Sequence, residues 1–323
     1  MSIISNCTES AIKDAATSLI SGNLVAFPTE TVYGLGADAT NEDAIARIYT
    51  VKGRPTGHPL IVHISSMGYL DKWAREIPEY AIKLARSFWP GPMTLILPRT
   101  ALAKDFITGG QDNLGIRVPS HTVALELLKE FEFQGGSGVA APSANRFGAV
   151  SPTTAKAVEL ELGNYLSSSD QILDGGHCDV GIESTIIDCT GKTPIILRPG
   201  AITIEMIQKV VIGLTESDLY SALSNQIKVP GSLESHYAPK AKVVLNGQSG
   251  IGDGFIALSS IPTPSGSIRL ASPADNEEFA RVLYQALRSA DSSGLQNVYV
   301  ILPSRDGIGA AINDRLRKAA FSD

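Results

Sequence analysis

Cysteine is scarce: Cys7, Cys178 and Cys189 are the three in 323 residues. They form no CxxC pair, which sets aside a disulfide framework and a cysteine zinc site. No apolar run approaches the roughly 20 residues that cross a bilayer. The first residues, MSIISNCTESAIKD, lack the basic start and small-residue cleavage site of a secretory leader. The expectation is a soluble, cytoplasmic protein. Basic charge is in deficit, since 27 Lys and Arg face 33 Asp and Glu for a formal net charge of −6. Non-specific nucleic-acid binding needs many cations to displace counterions, so the balance argues against it while leaving room for a local basic cleft. The Walker A pattern GxxxxGK[ST] is absent, and a P-loop ATPase mechanism is not supported. There is no internal repeat and no low-complexity tract.

What is present is apolar periodicity, in a chain whose residues are 43% hydrophobic. That length and content suit two domains, each with its own core. Thr8 to Ser21 has helical spacing and stops at Gly22. LVAF (24–27) and LIVHI (60–64) have the length and β-branched content of buried strands, and a helix opens between them at Asn41. Further helices are expected over Ile77–Trp89, Thr122–Phe131 and Pro152–Leu162, the last with Ser151 as its N-cap. Strands are expected at 93–97, 114–118, 138–142 and in QILDGG, STIIDC and PIILRPG. This alternation predicts an α/β domain with a twisted mixed sheet over residues 1–212. Periodicity fades over 213–240, which is expected to be a linker or lid. Residues 241–323 predict a smaller α/β domain, with strands in VVLN, FIALS, SIRLA and VYVIL and helices over Asn276–Ala290 and Gly309–Ala320.

The unusual residues cluster between Phe27 and Ile64. Thr29, Glu30, Thr31 and Tyr33 follow the first strand, and Gly34 and Gly36 are expected to let the backbone turn. Lys52 and Arg54, two apart, would share one side of an extended chain and clamp a polyphosphate, although Lys and Arg also favour solvated helix ends. His63 interrupts a strand, where histidine is more often a hydrogen-bonded core residue than a base. Arg117 ends a buried strand and must meet a carboxylate, from the protein or from a ligand. At the strand exit in GGSGVAAPSAN (135–145), Ser143 and backbone N–H groups suit a phosphate. Glu183, Ser184 and Thr185 sit at the mouth of another strand, and Arg198 lies in LRPG.

PTETVYGLG, KGRP followed by PLIVHI, and RVP together resemble the YrdC-like family of threonylcarbamoyl-adenylate synthases. PGSLESHYAP (230–239), with His236 and Tyr237, resembles the family's two-domain branch, whose smaller domain is Rossmann-like. The resemblance implies that L-threonine, bicarbonate and ATP, with Mg²⁺, give threonylcarbamoyl-AMP and pyrophosphate. That product is passed to a transferase complex that modifies tRNA. The resemblance further implies a threonine side made of Thr31, His63, Arg117, Ala141 and Ser184. It assigns Lys52, Arg54, His58, Asn113, Ser143, Ser151, Arg198 and Tyr237 to ATP, with Tyr237 as part of a lid that excludes water. Asn113 stands where the family more often has threonine, and the serine the family carries after SANx is Phe147 here.

Two other readings remain at this level. One is a non-catalytic RNA or tRNA binder using the same concave domain, which the acidic composition disfavours. The other is carbamoyl transfer onto a partner's thiol, which the lack of zinc-finger-like cysteines disfavours.

Overall fold

The structure is a computed structural model and describes residues 4–219, 227–231 and 237–321. The chain begins with β1 (Ile4–Asn6), α1 (Glu9–Ile20), β2 (Val25–Phe27), β3 (Gly34–Asp38), α2 (Glu42–Lys52) and β4 (Ile61–His63). It continues through α3 (Leu70–Trp73), α4 (Glu79–Phe88), β5 (Met93–Pro98), α5 (Asp105–Thr108), β6 (Asn113–Arg117) and α6 (Thr122–Phe133). Then come β7 (Val139–Ala140), α7 (Ala155–Leu162), β8 (Gln171–Asp174), β9 (Thr185–Asp188) and β10 (Ile195–Arg198). Two short helices follow, α8 (Ile204–Val210) and α9 (Glu216–Leu219). The smaller domain holds β11 (Lys242–Leu245), β12 (Gly254–Ile256), β13 (Ile268–Ala271), α10 (Asn276–Ser292), β14 (Asn297–Val300) and α11 (Gly309–Ala320).

The first ten strands form one sheet in the order β1-β8-β2-β3-β7-β4-β6-β5-β9-β10. It is mixed: β4 runs parallel to β6 and β5 to β9, while β3–β7, β4–β7 and β5–β6 are antiparallel. The second sheet, β11-β14-β12-β13, is wholly parallel. Parallel strands need crossovers that cover the faces, and α10 and α11 bury Phe279, Leu283, Leu287, Ile312 and Leu316 in doing so. One apolar cluster joins the two domains, placing Val32, Val150 and Ile182 with Tyr237, Phe279 and Tyr284.

Local capping follows the sequence at the N-termini of α1 and α2. The Thr8 hydroxyl accepts from the Ala11 N–H and the Asn41 side chain from the Ala44 N–H, each satisfying a donor the helix leaves unpaired. Three expectations need correction. Gly34 and Gly36 lie in strand β3, and neither has a positive φ. A Cβ on Gly36 would sit 2.8 Å from Phe27 Cε1 and 2.8 Å from Val139 Cγ1, so the missing side chain makes room for neighbours rather than for a turn. Ser151 does not cap α7; Thr154 does, accepting from the Ala157 N–H at 3.1 Å. Lys52 and Arg54 do not share one side of an extended chain. Lys52 is the last residue of α2, and Gly53 closes the helix in the left-handed region at φ 61°.

Candidate functional site

The sheet brings its polar strand ends together around one buried cavity of about 60 Å³. Strand pairing sets His63 beside Arg117, because β4 and β6 run in register. The loop after β2 places Thr31 opposite. Arg117 Nη1 donates to Thr31 Oγ1 at 2.9 Å and Nε to the Gly91 carbonyl at 3.3 Å. Its Nη2 lies 2.8 Å from Glu30 Oε1. The partner the sequence demanded for this buried charge is thus a protein carboxylate. The contact is an ion pair without hydrogen-bond alignment, because neither Glu30 Oε1 nor Arg117 Nη2 has a hydrogen-bond partner. Thr29 shapes the turn by accepting from the N–H groups of Thr31 and Val32, both at 3.2 Å.

His63 is buried, with its ring edge against Phe27, and its Nδ1 has no hydrogen-bond partner. Burial, and then the Arg117 charge, bring its pKa down to about 3. The ring is neutral at physiological pH. Ser184 completes this end, its hydroxyl 2.8 Å from that of Thr94.

The other end is cationic. Arg54 and Arg198 both line the cavity and are both buried. Arg54 donates to the carbonyls of His58 and Pro59 and stacks over Phe147 at 5.6 Å. Arg198 donates to the Ser184 carbonyl from Nε at 3.1 Å and Nη2 at 2.9 Å, and to the Pro230 carbonyl from Nη1 at 2.9 Å. Among the described residues neither forms an ion pair with a carboxylate. Burial lowers the pKa of both, that of Arg54 to about 10, which leaves Arg54 charged at neutral pH. Two buried guanidiniums facing carbonyl dipoles rather than carboxylates have the chemistry to take an anion.

Lys52 is buried but turned away from the cavity. Its ammonium donates to the carbonyls of Ser143 at 2.6 Å and Asn145 at 2.5 Å. It therefore holds the loop that carries Ser143 into the cavity wall. Ser151 stands one step behind the cavity, donating to Glu183 Oε1 at 2.6 Å. His58 packs its ring against Phe147 beyond the wall, and Asn113 opens β6 away from it. Ala141, Ser143 and Tyr237 line the cavity, and His236 lies outside the described residues. Tyr237 is buried at φ 62° and stacks on Tyr284 with ring centroids 5.8 Å apart.

Two participants were not among the sequence candidates. Glu183 Oε2 accepts from the Tyr284 hydroxyl at 2.8 Å and from Arg315 Nε at 2.8 Å, both residues of the smaller domain. Burial pushes the Glu183 carboxyl up, but the guanidiniums of Arg315 and Arg198, with hydrogen bonds from Arg315 and Ser151, outweigh it and hold the pKa at about 2. A sequence signal for Arg315 exists. It sits on the apolar stripe Ala311, Ile312, Leu316 and Ala319 of α11, where a charge must be paired.

Residues 17–200 match the profile of the Sua5, YciO and YrdC proteins, described as telomere recombination, and residues 202–321 match the threonylcarbamoyl-AMP synthase C-terminal domain. The threonylcarbamoyl-AMP synthase of Pyrococcus abyssi is 39% identical over 99% of this chain and 98% of its own. The chain belongs to the threonylcarbamoyl-AMP synthase family. A member from Bacillus subtilis is 38% identical over 96% of this chain and 92% of its own. The crystal structure of P. abyssi Sua5 complexed with L-threonine superposes with a TM-score of 0.87 at 39% identity, covering 99% of this chain and 98% of that one. The two-domain α/β architecture is therefore that of the family.

Proposed function

We propose that this chain is an L-threonylcarbamoyladenylate synthase, joining L-threonine, bicarbonate and ATP into threonylcarbamoyl-AMP with release of pyrophosphate. The observation that carries it is one cavity lined both by the hydroxyls of Thr29, Thr31, Ser143 and Ser184 and by the guanidiniums of Arg54, Arg117 and Arg198. The threonine carboxylate meets Arg117, whose fork suits bidentate pairing. The amino-acid hydroxyl meets Thr31, Ser184 and the Nδ1 of His63, with Ala141 against the methyl group. The triphosphate takes Arg54 and Arg198, and Ser143 and Tyr237 flank the nucleotide. Lys52 and Ser151 support this end through the loop and the carboxylate they hold. His58 and Asn113 join it on the outer side of the bound nucleotide.

At about 60 Å³ the cavity is far smaller than the roughly 300–1,000 Å³ of a pocket holding a drug-sized ligand. Pro230, Gly231 and Tyr237 line it, and ATP enters past these residues. Residues 213–240 act as the linker and lid between a catalytic domain ending near 212 and a smaller domain from about 241. No cluster of three His, Cys, Asp or Glu side chains able to hold a metal occurs among the described residues. Glu30 and Glu183 are committed to arginines, so the described residues offer no dedicated carboxylate cage. Mg²⁺ enters as the counter-ion of ATP, and no step is routed through it.

The chemistry is chiefly positioning and charge stabilisation. The neutral threonine amine attacks the bicarbonate carbon and water leaves, giving the carbamate; its anionic oxygen then attacks the α-phosphorus as pyrophosphate departs between Arg54 and Arg198. We assign no residue as general base. At a pKa of about 3 His63 is too weakly basic for neutral pH, and Glu183 is fully hydrogen-bonded.

The product is unstable in water, and transfer to tRNA by a separate cytoplasmic enzyme complex completes the modification. No helix among the described residues is long and apolar enough to cross a membrane. The test is mass spectrometry of the full chain with ATP and carbon-13 bicarbonate. The expected result is an AMP adduct carrying one threonine and one labelled carbon. An AMP–threonine ester without the label would overturn the carbamoyl step.

A further inference from the structure

We infer that Tyr284 and Arg315, both from the smaller domain, are positioning residues of the active site that keep the Glu183 carboxylate from competing with the triphosphate for the cavity's arginines. This inference rests on the synthase reading above. Glu183 lines the same cavity as Arg54 and Arg198. An ionised carboxylate beside an unpaired buried guanidinium normally pairs with it, because each charge relieves the desolvation of the other. Here that pairing is diverted. Glu183 spends its oxygens on Ser151, Tyr284 and Arg315 at 2.6–2.8 Å, while Arg198 points its donors at Ser184 and Pro230.

Arg315 does more than neutralise one acid. Its Nη2 donates to the Pro199 carbonyl at 3.0 Å, next to Arg198, and its guanidinium lies 5.4 Å from the Tyr237 ring. Tyr284 stacks on that same ring. Two side chains of the smaller domain thus touch two residues of the cavity wall, Glu183 and Tyr237, and the Pro199 carbonyl beside Arg198. Helix α10 is seated to deliver Tyr284. Arg281 Nε donates to the Asp179 carbonyl at 3.0 Å, and Arg288 donates to the Val150 carbonyl and pairs with Glu161 at 3.1 Å. Positions 281, 284 and 288 share one helix face. Between them Gly181, at φ +81°, comes so close that a Cβ would lie 2.4 Å from Arg281 Cα. Arg315 reaches the carboxylate from the other helix, α11, and its buried charge carries a desolvation cost that the Glu183 contact offsets.

The test is steady-state kinetics of the full chain, with thermal unfolding to confirm folded variants. Arg315→Met releases Glu183 toward Arg198, and the KM for ATP is expected to rise about tenfold or more while the KM for threonine moves far less. Arg315→Met combined with Glu183→Gln removes the competing charge, and most of the ATP affinity returns. A purely structural role predicts the opposite, a double variant worse than either single one. Should Arg315→Met fail to fold, Tyr284→Phe keeps the ring stack and deletes one hydrogen bond; it is expected to raise the ATP KM by a few-fold alone. An unchanged ATP KM in these variants, equal rises in both KM values, or no recovery in the double variant would overturn the inference while leaving the synthase reading intact. Wild-type protein that neither binds nor consumes ATP would overturn both.

Discussion

Arg117 Nη2 and Glu30 Oε1 face each other at 2.8 Å, both buried, yet not aligned as a hydrogen bond. Such a pair is held by charge on that edge, while Thr31 and the Gly91 carbonyl hold Nη1 and Nε; a substrate carboxylate at Arg117 would take the place of the Glu30 contact. Arg117→Ala is expected to raise the KM for threonine by at least about thirtyfold, the equivalent of about 2 kcal/mol. Arg117→Lys restores little of it, because a point charge does not reproduce the fork. Unchanged threonine dependence in a folded Arg117→Ala protein would remove Arg117 from the substrate.

Arg54 has no carboxylate partner among the described residues, so its removal leaves no buried acid uncompensated. Arg54→Ala is expected to lower kcat/KM for ATP by about a hundredfold or more. Stability should fall by only about 1–2 kcal/mol from lost hydrogen bonds. Pyrophosphate assays paired with thermal unfolding separate the two effects. Full activity would show that the triphosphate lies elsewhere.

The pH dependence of stability has a signed contribution from His63. Its folded pKa, about 3, lies below the unfolded value near 6.5, so between these values the unfolded chain binds the extra proton. Its contribution is present above pH 6.5 and is lost as pH falls toward 3, by up to about 1.4 kcal/mol per pH unit. Urea unfolding of wild type and His63→Gln at pH 7 and pH 5 should show a smaller pH effect in the variant. Equal pH effects would mean that His63 is not held neutral by burial.

Gly36→Ala tests the packing reason for that glycine. The added methyl meets Phe27 and Val139 at 2.8 Å, and overpacking of this kind costs about 1–3 kcal/mol. A Tm equal to wild type would contradict it.

Features governed by neighbours in sequence were legible: Thr8 and Asn41 cap the helices they precede, and the apolar runs around β2, β4, β5 and β6 became strands. Features set by distant neighbours were not. Strand β3 has the composition of a loop, because Phe27 and Val139 crowd out its side chains. Ser151 has the residue type of a cap, but its hydroxyl is drawn to Glu183, which no local rule could reveal. Lys52 and Arg54 were both recognised as special, yet a left-handed glycine between them sends one to a loop and the other to the cavity. Tyr284 and Arg315 were hidden for a related reason. They lie on the buried stripes of their helices, and only the docking of the two domains turns those stripes toward the cavity.

The central claim is that one cavity brings together threonine, bicarbonate and ATP. Its most direct test is pyrophosphate release from ATP by the full chain, with threonine and bicarbonate omitted in turn. The account predicts release only when both are present. Release without threonine, or none from folded protein under any combination, would contradict it.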